Sequence, residues 1–284
     1  MVAGKGGVGK TTVTAVIARA ASDAGLRVLV VELDGKPALA GLVPDLEVMS
    51  ISAPDALDEY LRDNGFARIA KRLNRTGVID MVGTAAPGID DIVVLGKIKQ
   101  LERSGQWDLV VVDGPAAGHA ITFLMSAAGL ADSVRSGPVR AQADEVLELL
   151  HDPQRCQVVL VTLAETTPVN EVIETAYALE DRVGVQLGPV VVNGVDVGVE
   201  LPSSSVASSV VADLDDATAA TLTAAAEFRR SRREMERQEL DRLVDRLPIP
   251  QIMLSARLVA GLTAEDVTAL ADGLTGGGAM EDSA

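Results

Sequence analysis

Residues 4–12, which read GKGGVGKTT, constrain the fold of this 284-residue chain more than any other segment. Closely spaced glycines let a backbone turn tightly and direct its N–H groups at phosphate oxygens. The apolar pattern of residues 11–24 is helical, and a helix N-terminus also attracts an anion. The segment therefore predicts a phosphate-binding loop (P-loop) between a strand and a helix, with contacts from Gly4, Gly6, Gly7, Val8, Gly9, Lys10, Thr11 and Thr12.

The lysines and threonines of this loop predict what the bound nucleotide does. Lys10 is placed to contact the β- and γ-phosphates, Thr11 to bind Mg²⁺ and Thr12 to reach a phosphate. ATP and Mg²⁺ are therefore the predicted cofactors. An ordinary P-loop needs no lysine just after its first glycine, and a second cation there can neutralise charge that develops on phosphate. We predict that Lys5 and Lys10 are both catalytic.

Two acidic residues follow apolar segments that read as buried strands. Asp34 comes after residues 27–33, RVLVVEL, where a carboxylate can orient or deprotonate an attacking water. The same carboxylate would also suit contact with Mg²⁺ through water, or an ordinary acidic loop. We predict the catalytic role. Asp113 ends residues 107–113, WDLVVVD, and is predicted to hold Mg²⁺ directly or through water.

Residues 113–119, DGPAAGH, predict a segment that responds to the γ-phosphate. Gly114, Pro115 and Gly118 indicate a loop that can change shape, and Asp34 would belong to the corresponding first switch. His119 closes this loop. Its side chain would either contact the switch or make a local structural hydrogen bond, and the residues leave both roles open.

Strands alternate with helices along the chain, which predicts an α/β fold with a doubly wound, mostly parallel sheet. We expect one P-loop domain over residues 1–274, with helical insertions near 45–104 and 119–150 that form a helical subdomain. A disordered tail is expected at 275–284. Further strands are predicted at 156–163 and 190–193, a surface loop at 199–213, and helices at 217–247 and 263–274, the last with Thr263 as its N-cap.

The P-loop begins almost at the first residue, although such loops follow a central strand. Residues 1–3 leave that strand very little length. Either the sheet lacks a central strand, or this N-terminal strand is truncated, and we favour truncation. An extension of about eight residues, a typical strand length, is then expected to raise stability.

Charge and cysteine content exclude several kinds of partner and site. The formal net charge of −16 disfavours nucleic acids and anionic lipid surfaces. The arginines at 229, 230, 232 and 233 stand next to glutamates at 234, 236 and 239, as on a solvated helix face. Cys156 is the single cysteine, so a cysteine-based metal site within one chain is excluded. With neither an 18-residue apolar run nor a signal peptide, we expect a cytoplasmic protein without an integral membrane segment.

GKGGVGKTT, Asp34 and DGPAAGH together resemble the arsenite-pump ATPases and the guided-entry ATPases that target tail-anchored proteins. The KGGxGK[ST] signature is that of the deviant Walker-A class, in which this lysine, here Lys5, reaches the nucleotide of a facing subunit. The resemblance therefore implies a homodimer, or a heterodimer with a related ATPase. It also implies that Asn193, which ends VVN, contacts adenine. The first switch reads DGKPAL, which departs from the family's usual D-P-A.

The resemblance implies an ATP-hydrolysing dimeric switch whose helical layer binds a protein client. One cysteine cannot supply the cysteine site that binds metalloid in arsenite pumps, nor the C-x-x-C zinc bridge of many targeting ATPases. A MinD- or ParA-like positioning ATPase is an alternative, although the acidic tail and net charge oppose it. A metabolic P-loop ligase or kinase is another, although no second catalytic base is evident. A nitrogenase-type reductase is excluded because it needs two cluster cysteines per chain.

Replacing Asp34 tests the sequence-based assignment of the water-activating group. We expect Asp34→Asn to leave ATP binding nearly intact and to slow hydrolysis about 100-fold or more, because an amide cannot take up the proton of water. The dissociation constant for ATP and the turnover number of both proteins provide the comparison. A loss of ATP binding would instead make Asp34 a Mg²⁺ or structural group.

Overall fold

The computed structural model describes residues 1–33, 38–63, 65, 88–200 and 214–276. Its strands are β1 (Val2–Gly4), β2 (Val28–Glu32), β3 (Glu47–Ser50), β4 (Leu109–Ala116), β5 (Gln157–Leu163), β6 (Gln186–Leu187), β7 (Val190–Val195) and β8 (Gln251–Ser255). Its helices are α1 (Lys10–Asp23), α2 (Leu39–Leu42), α3 (Ala53–Asp63), α4 (Ile89–Arg103), α5 (Ala117–Ser133), α6 (Pro138–His151), α7 (Thr166–Ala178), α8 (Asp216–Arg246) and α9 (Ala264–Gly276). A π-helical turn, Leu179–Val183, follows α7.

These strands form one parallel sheet in the order β3-β2-β4-β1-β5-β7-β8, and β6 pairs with β5. Valine dominates the central strands, since side chains buried on both faces of a parallel sheet must be apolar. One face packs against α1 and α9, and the opposite face packs against α4, α5, α6 and α7. The predicted α/β class with a doubly wound parallel sheet is confirmed.

The central strand exists, although it has three residues. Val2 of β1 lies in register with Asp113 of β4 and with Val159 of β5. The Met1 amine donates a hydrogen bond to the Gln157 carbonyl at 2.7 Å, and its burial lowers the pKa of that amine. Of the two alternatives, a sheet without a central strand is therefore wrong, and the favoured truncation of this strand stays a prediction.

A cavity of about 430 Å³ adjoins β1, where β4 and β5 extend further than it does. Met1, Trp107 and Cys156 are among the residues that line it. The Cys156 side chain is partly buried against the core, and this burial raises the pKa of its thiol.

Several elements differ from the sequence prediction. The edge strand β3 lies inside the predicted helical insertion 45–104. The sequence does not predict it, because its exposed and half-buried side chains give no continuous apolar run. The helix α7 and the strands β6 and β8 were not predicted. The predicted loop at residues 114–118 is wrong, since β4 continues to Ala116 and α5 begins at Ala117. Residues 66–87, 201–213 and 277–284 of the predicted insertion, surface loop and tail lie outside the described residues.

The long helix α8 agrees within one residue at each end with the predicted helix 217–247. Its arginines face acids. Arg229 contacts Asp196 at 2.7 Å and holds the pKa of that carboxyl at about 2, and Arg232 contacts Glu236 at 3.4 Å. The arginine-rich segment is thus neutralised locally, as expected for a solvated helix face.

The helices of the described part of the chain were also compared with the requirements of a membrane span. None of them combines the length and the apolar composition that crossing a bilayer demands.

The close approach of β1 to β5 predicts a stability defect for Gly4→Ala. A Cβ at position 4 would lie 2.4 Å from the Val161 carbonyl oxygen, so a strand must shift. We expect a loss of about 1–3 kcal/mol in the free energy of unfolding, measured by urea denaturation. Gly129→Ala on α5 is the matched control: its Cβ would meet no described atom within 4 Å, and helix propensity favours it by up to about 1 kcal/mol. Equal stability of the two variants would contradict the packing argument.

Candidate functional site

The glycine-rich loop connects the carboxyl end of β1 to the first turn of α1. Gly9 is the N-cap of α1 and has φ of +92°, a left-handed conformation that L side chains rarely adopt. A Cβ at Gly6 or Gly7 would meet no described atom within 4 Å, so this side of the loop is open. The loop therefore has the room and the backbone shape that an anion at a helix N-terminus requires.

Asn193, a residue of β7, holds the loop from the side. Its Nδ2 donates to the Val8 carbonyl at 2.9 Å. A Cβ at Gly9 would lie 2.2 Å from the same nitrogen, so the contact also requires glycine at position 9. The amide nitrogen has two donors, and one of them serves the loop.

The two loop lysines contact different groups. Lys10 Nζ reaches the carbonyl oxygen of Lys5 at 3.4 Å, which is long for a hydrogen bond. Lys5 Nζ donates to Glu171 Oε1 on α7 at 2.7 Å. Sequence reasoning did not identify Glu171, because 166 residues separate it from Lys5 and only the fold brings them together.

Thr11 and Asp113, the two predicted metal ligands, contact each other directly. Thr11 Oγ1 donates to Asp113 Oδ2 at 2.7 Å, and Thr14 Oγ1 lies 3.3 Å from Asp113 Oδ1. Register explains the meeting, since β4 and β1 are neighbours and α1 starts one loop after β1. A hydroxyl and a carboxylate oxygen are ligands that Mg²⁺ accepts, with phosphates and water completing its shell.

These two oxygens fit a metal that is shared with a nucleotide. Within the described ranges, no three His, Cys, Asp or Glu side chains come together as a metal cluster. A pair of oxygen donors next to an open anion-binding loop is nevertheless the usual protein contribution to Mg²⁺–nucleotide sites. The residues present therefore fit Mg²⁺.

A cavity of about 250 Å³ opens beside Asn193 and Thr12. The end of β8, the segment that follows it and α9 supply most of its remaining walls, which include Ser255, Arg257 and Leu270. The Arg257 guanidinium contacts Asp266 at 2.8 Å and holds the pKa of that carboxyl below its usual range. The cavity lies at the carboxyl ends of the strands, where parallel α/β sheets bind ligands.

The residues predicted as the second switch occupy a strand and a helix. Gly114 and Pro115 belong to β4, and Gly118 and His119 lie exposed in the first turn of α5. Pro115 and His119 line a cavity of about 200 Å³ together with Asp91 of α4. Burial raises the pKa of Asp91, the charge of Asp90 adds to this rise, and His119 opposes it.

Asp34 lies outside the described residues, as does the rest of the first switch at 35–37. The structure does describe its neighbour Glu32, whose role sequence reasoning missed. Glu32 is buried at the end of β2, and its Oε1 accepts a hydrogen bond from the Leu39 backbone N–H at 2.9 Å. This contact joins the two ends of the segment that carries Asp34.

Comparisons with known proteins agree with this geometry. Residues 1–136 match the model of a family described as anion-transporting ATPase. ATPase BagA of Mycobacterium tuberculosis is 31% identical over 293 residues, which cover 89% of this chain and 86% of the relative. An arsenical pump-driving ATPase of Escherichia coli is 31% identical over 192 residues, 65% of this chain and 32% of the relative. An ATPase ASNA1 homolog of Entamoeba histolytica is 29% identical over 146 residues, 43% and 44% of the two chains.

The similarity to ATPase BagA extends over most of both chains, and the matched family segment includes the loop, Thr11 and Asp113. The resemblance that the motifs indicated is thus confirmed, and the chain belongs to the anion-transporting ATPase family.

Proposed function

We propose that this protein is a Mg²⁺-dependent ATP hydrolase that acts as a dimeric switch and couples its nucleotide state to a protein client. The hydrogen bond between Thr11 and Asp113 at 2.7 Å carries the proposal. A glycine-rich turn without a ligand has no need to place a hydroxyl against a strand-end carboxylate. The pair lies at the base of the loop, where a metal that bridges phosphate oxygens is held in P-loop proteins.

The loop is prepared to receive a triphosphate. The long contact between Lys10 Nζ and the Lys5 carbonyl is weak, so Lys10 can move to the β- and γ-phosphates at little cost. Thr12 and the backbone N–H groups at the start of α1 add further donors. Bound Mg²⁺ would neutralise charge on the phosphate oxygens between Thr11 and Asp113.

Hydrolysis then requires a base and a further positive charge. We assign the water-activating role to Asp34 and the stabilisation of developing phosphate charge to Lys5. The family resemblance supports a facing subunit, either a second copy or a related chain, that receives Lys5. We also propose a cytoplasmic location, which the acidic composition fits.

Asn193 and the cavity of about 250 Å³ beside it are the proposed adenine site. An amide can pair with the N6 and N7 edge of adenine, as asparagine does in nucleic-acid recognition. The second Nδ2 donor and the Oδ1 acceptor suit that edge while the first donor remains on Val8.

The proposed switch transmits nucleotide state through β4 into α5. No loop separates Asp113 from the first turn of α5, so a shift of Asp113 moves Gly118 and His119 with it. Asp91 of α4 lies across the small cavity from His119. The helical layer, where we place the client, is therefore in contact with the switch. ATP-dependent capture of a client by Asp34→Asn protein would support this placement, and identical capture without ATP would oppose it.

Substitutions of three side chains test the hydrolase assignment. Lys10→Ala is expected to lower turnover at least about 100-fold, since it removes a preorganised charge from the phosphates. Thr11→Val is expected to lower turnover in the presence of Mg²⁺. It is expected to weaken ATP binding less in EDTA than in Mg²⁺. Thr14→Val is the matched control, because its buried hydroxyl contacts the other oxygen of Asp113 and Thr14 lies outside the predicted phosphate-binding loop. Turnover that survives Lys10→Ala would refute the phosphate assignment.

Nucleotide preference tests the adenine site. Asn193→Ala is expected to weaken ATP binding by about 1–3 kcal/mol more than GTP binding, the range for an amide that reads a base edge. Fluorescence titration of both nucleotides supplies the two dissociation constants. An equal loss for ATP and GTP would show that Asn193 acts only by holding the loop through Val8.

A further inference from the structure

The two lysines of the loop differ in how firmly the chain holds them. Lys5 Nζ donates to Glu171 Oε1 at 2.7 Å, whereas Lys10 Nζ lies 3.4 Å from a backbone carbonyl. The 2.7 Å contact between the Lys5 ammonium and the Glu171 carboxylate is a charge-assisted hydrogen bond, about twice as strong as a neutral one. The lysine proposed to serve a facing subunit is therefore held by a carboxylate of its own chain.

The packing of α7 does not require a carboxylate at position 171. The helix is anchored by apolar side chains that are buried in the core, among them Val169, Val172 and Ala176. The Glu171 side chain is 40% exposed, and Lys5 is 35% exposed. In this structure the Glu171 carboxylate therefore serves to hold the Lys5 ammonium.

The helix that carries Glu171 is fixed to α8. Thr166 Oγ1 donates to Glu239 Oε1 at 2.8 Å, and Arg242 donates to the Thr166 carbonyl at 3.2 Å. Arg242 also contacts Asn170, the residue before Glu171. Glu171 is thus presented from an anchored helix, while Lys5 belongs to a loop with open space beside it. When the pair separates, Lys5 is the partner that moves.

We infer that Glu171 is a positioning residue that retains Lys5 within its own subunit until two ATP-bound subunits meet. The inference rests on the proposed dimeric switch, in which Lys5 crosses to the facing nucleotide. The ammonium group must leave Glu171 to make that crossing. A triphosphate carries more negative charge than one carboxylate and can displace it, but the energy of the broken pair is lost from the association. Glu171 therefore raises the protein concentration at which ATP drives pairing.

Glu171→Gln tests this role because it keeps the side-chain length and removes the charge. With ATP present, the protein concentration for half-maximal self-association, measured by sedimentation velocity, is expected to fall about 2- to 30-fold, because each of the two subunits breaks one partly exposed ion pair. The concentration for half-maximal specific turnover is expected to fall in parallel. Glu174→Gln is the matched control, three residues further along α7 and exposed, and it should leave both concentrations unchanged.

A double-mutant cycle separates the action on Lys5 from a structural effect of Glu171. In a Lys5→Ala background, Glu171→Gln is expected to cause no further change in self-association. A shift that persists in that background, equal behaviour of the two glutamine variants, or weaker association of Glu171→Gln would overturn the inference. If wild-type protein neither binds ATP nor self-associates with it, the proposed function fails as well, and this result appears before any variant is compared.

Discussion

The approach of three parallel strands around Gly4 is the constraint on which the site depends. β1 lies between β4 and β5 so closely that a Cβ at Gly4 would meet the Val161 carbonyl oxygen at 2.4 Å. The same register sets Val2 beside Asp113, and α1 leaves the loop directly above. The register of β1 and β4 thus brings Thr11 and Asp113 together. β1 is held at this position by parallel pairing with β4 on one side and with β5 on the other.

Local pattern was enough to predict the main strands and the loop, while contacts between distant segments were not predictable. β2, β4 and β5 are valine-rich and buried on both faces, so their apolar runs are continuous. β3 lies at a sheet edge with all four residues exposed or half-buried, and β8 directly follows a proline-rich turn, so neither gave a clear signal.

The candidate site divides in the same way. Glycine spacing and strand-end acids pointed to the loop, Thr11 and Asp113. The contact of Asn193 with Val8, the partner of Lys5 and the extension of β4 to Ala116 depend on which strands become neighbours. No periodicity in the sequence encodes that choice. His119 lies exposed beside a cavity with Asp91, so the two roles weighed for it from sequence are joined by a third, contact with the helical layer.

The electrostatic potential at the glycine-rich loop depends on the charges near it rather than on the net charge of the chain. The chain carries a formal charge of −16, yet two lysines and the N-terminus of α1 meet within a few residues. At physiological salt the Debye length is about 8 Å, so distant surface acids are largely screened at the loop. The negative charge of the rest of the surface therefore does not exclude a polyanion from this loop. The nearest acids are already engaged with cations or hydroxyls, as in the contacts of Glu171 and Asp113.

The helix α8 is long and is buried only near its carboxyl-terminal end. Its 31 residues span about 46 Å, and Glu236 and Leu243, the two buried residues among them, both lie in its carboxyl-terminal half. The amino-terminal end lies about 20 Å beyond Arg229, which contacts Asp196, at the rise of an α-helix. A tilt of about 5° about that contact would carry the end through roughly 1.7 Å, from the same helical rise. A small tilt of α8 next to α7 would thus displace its amino-terminal end by about the width of an atom. Leu222 and Phe228 face solvent in that half of the helix.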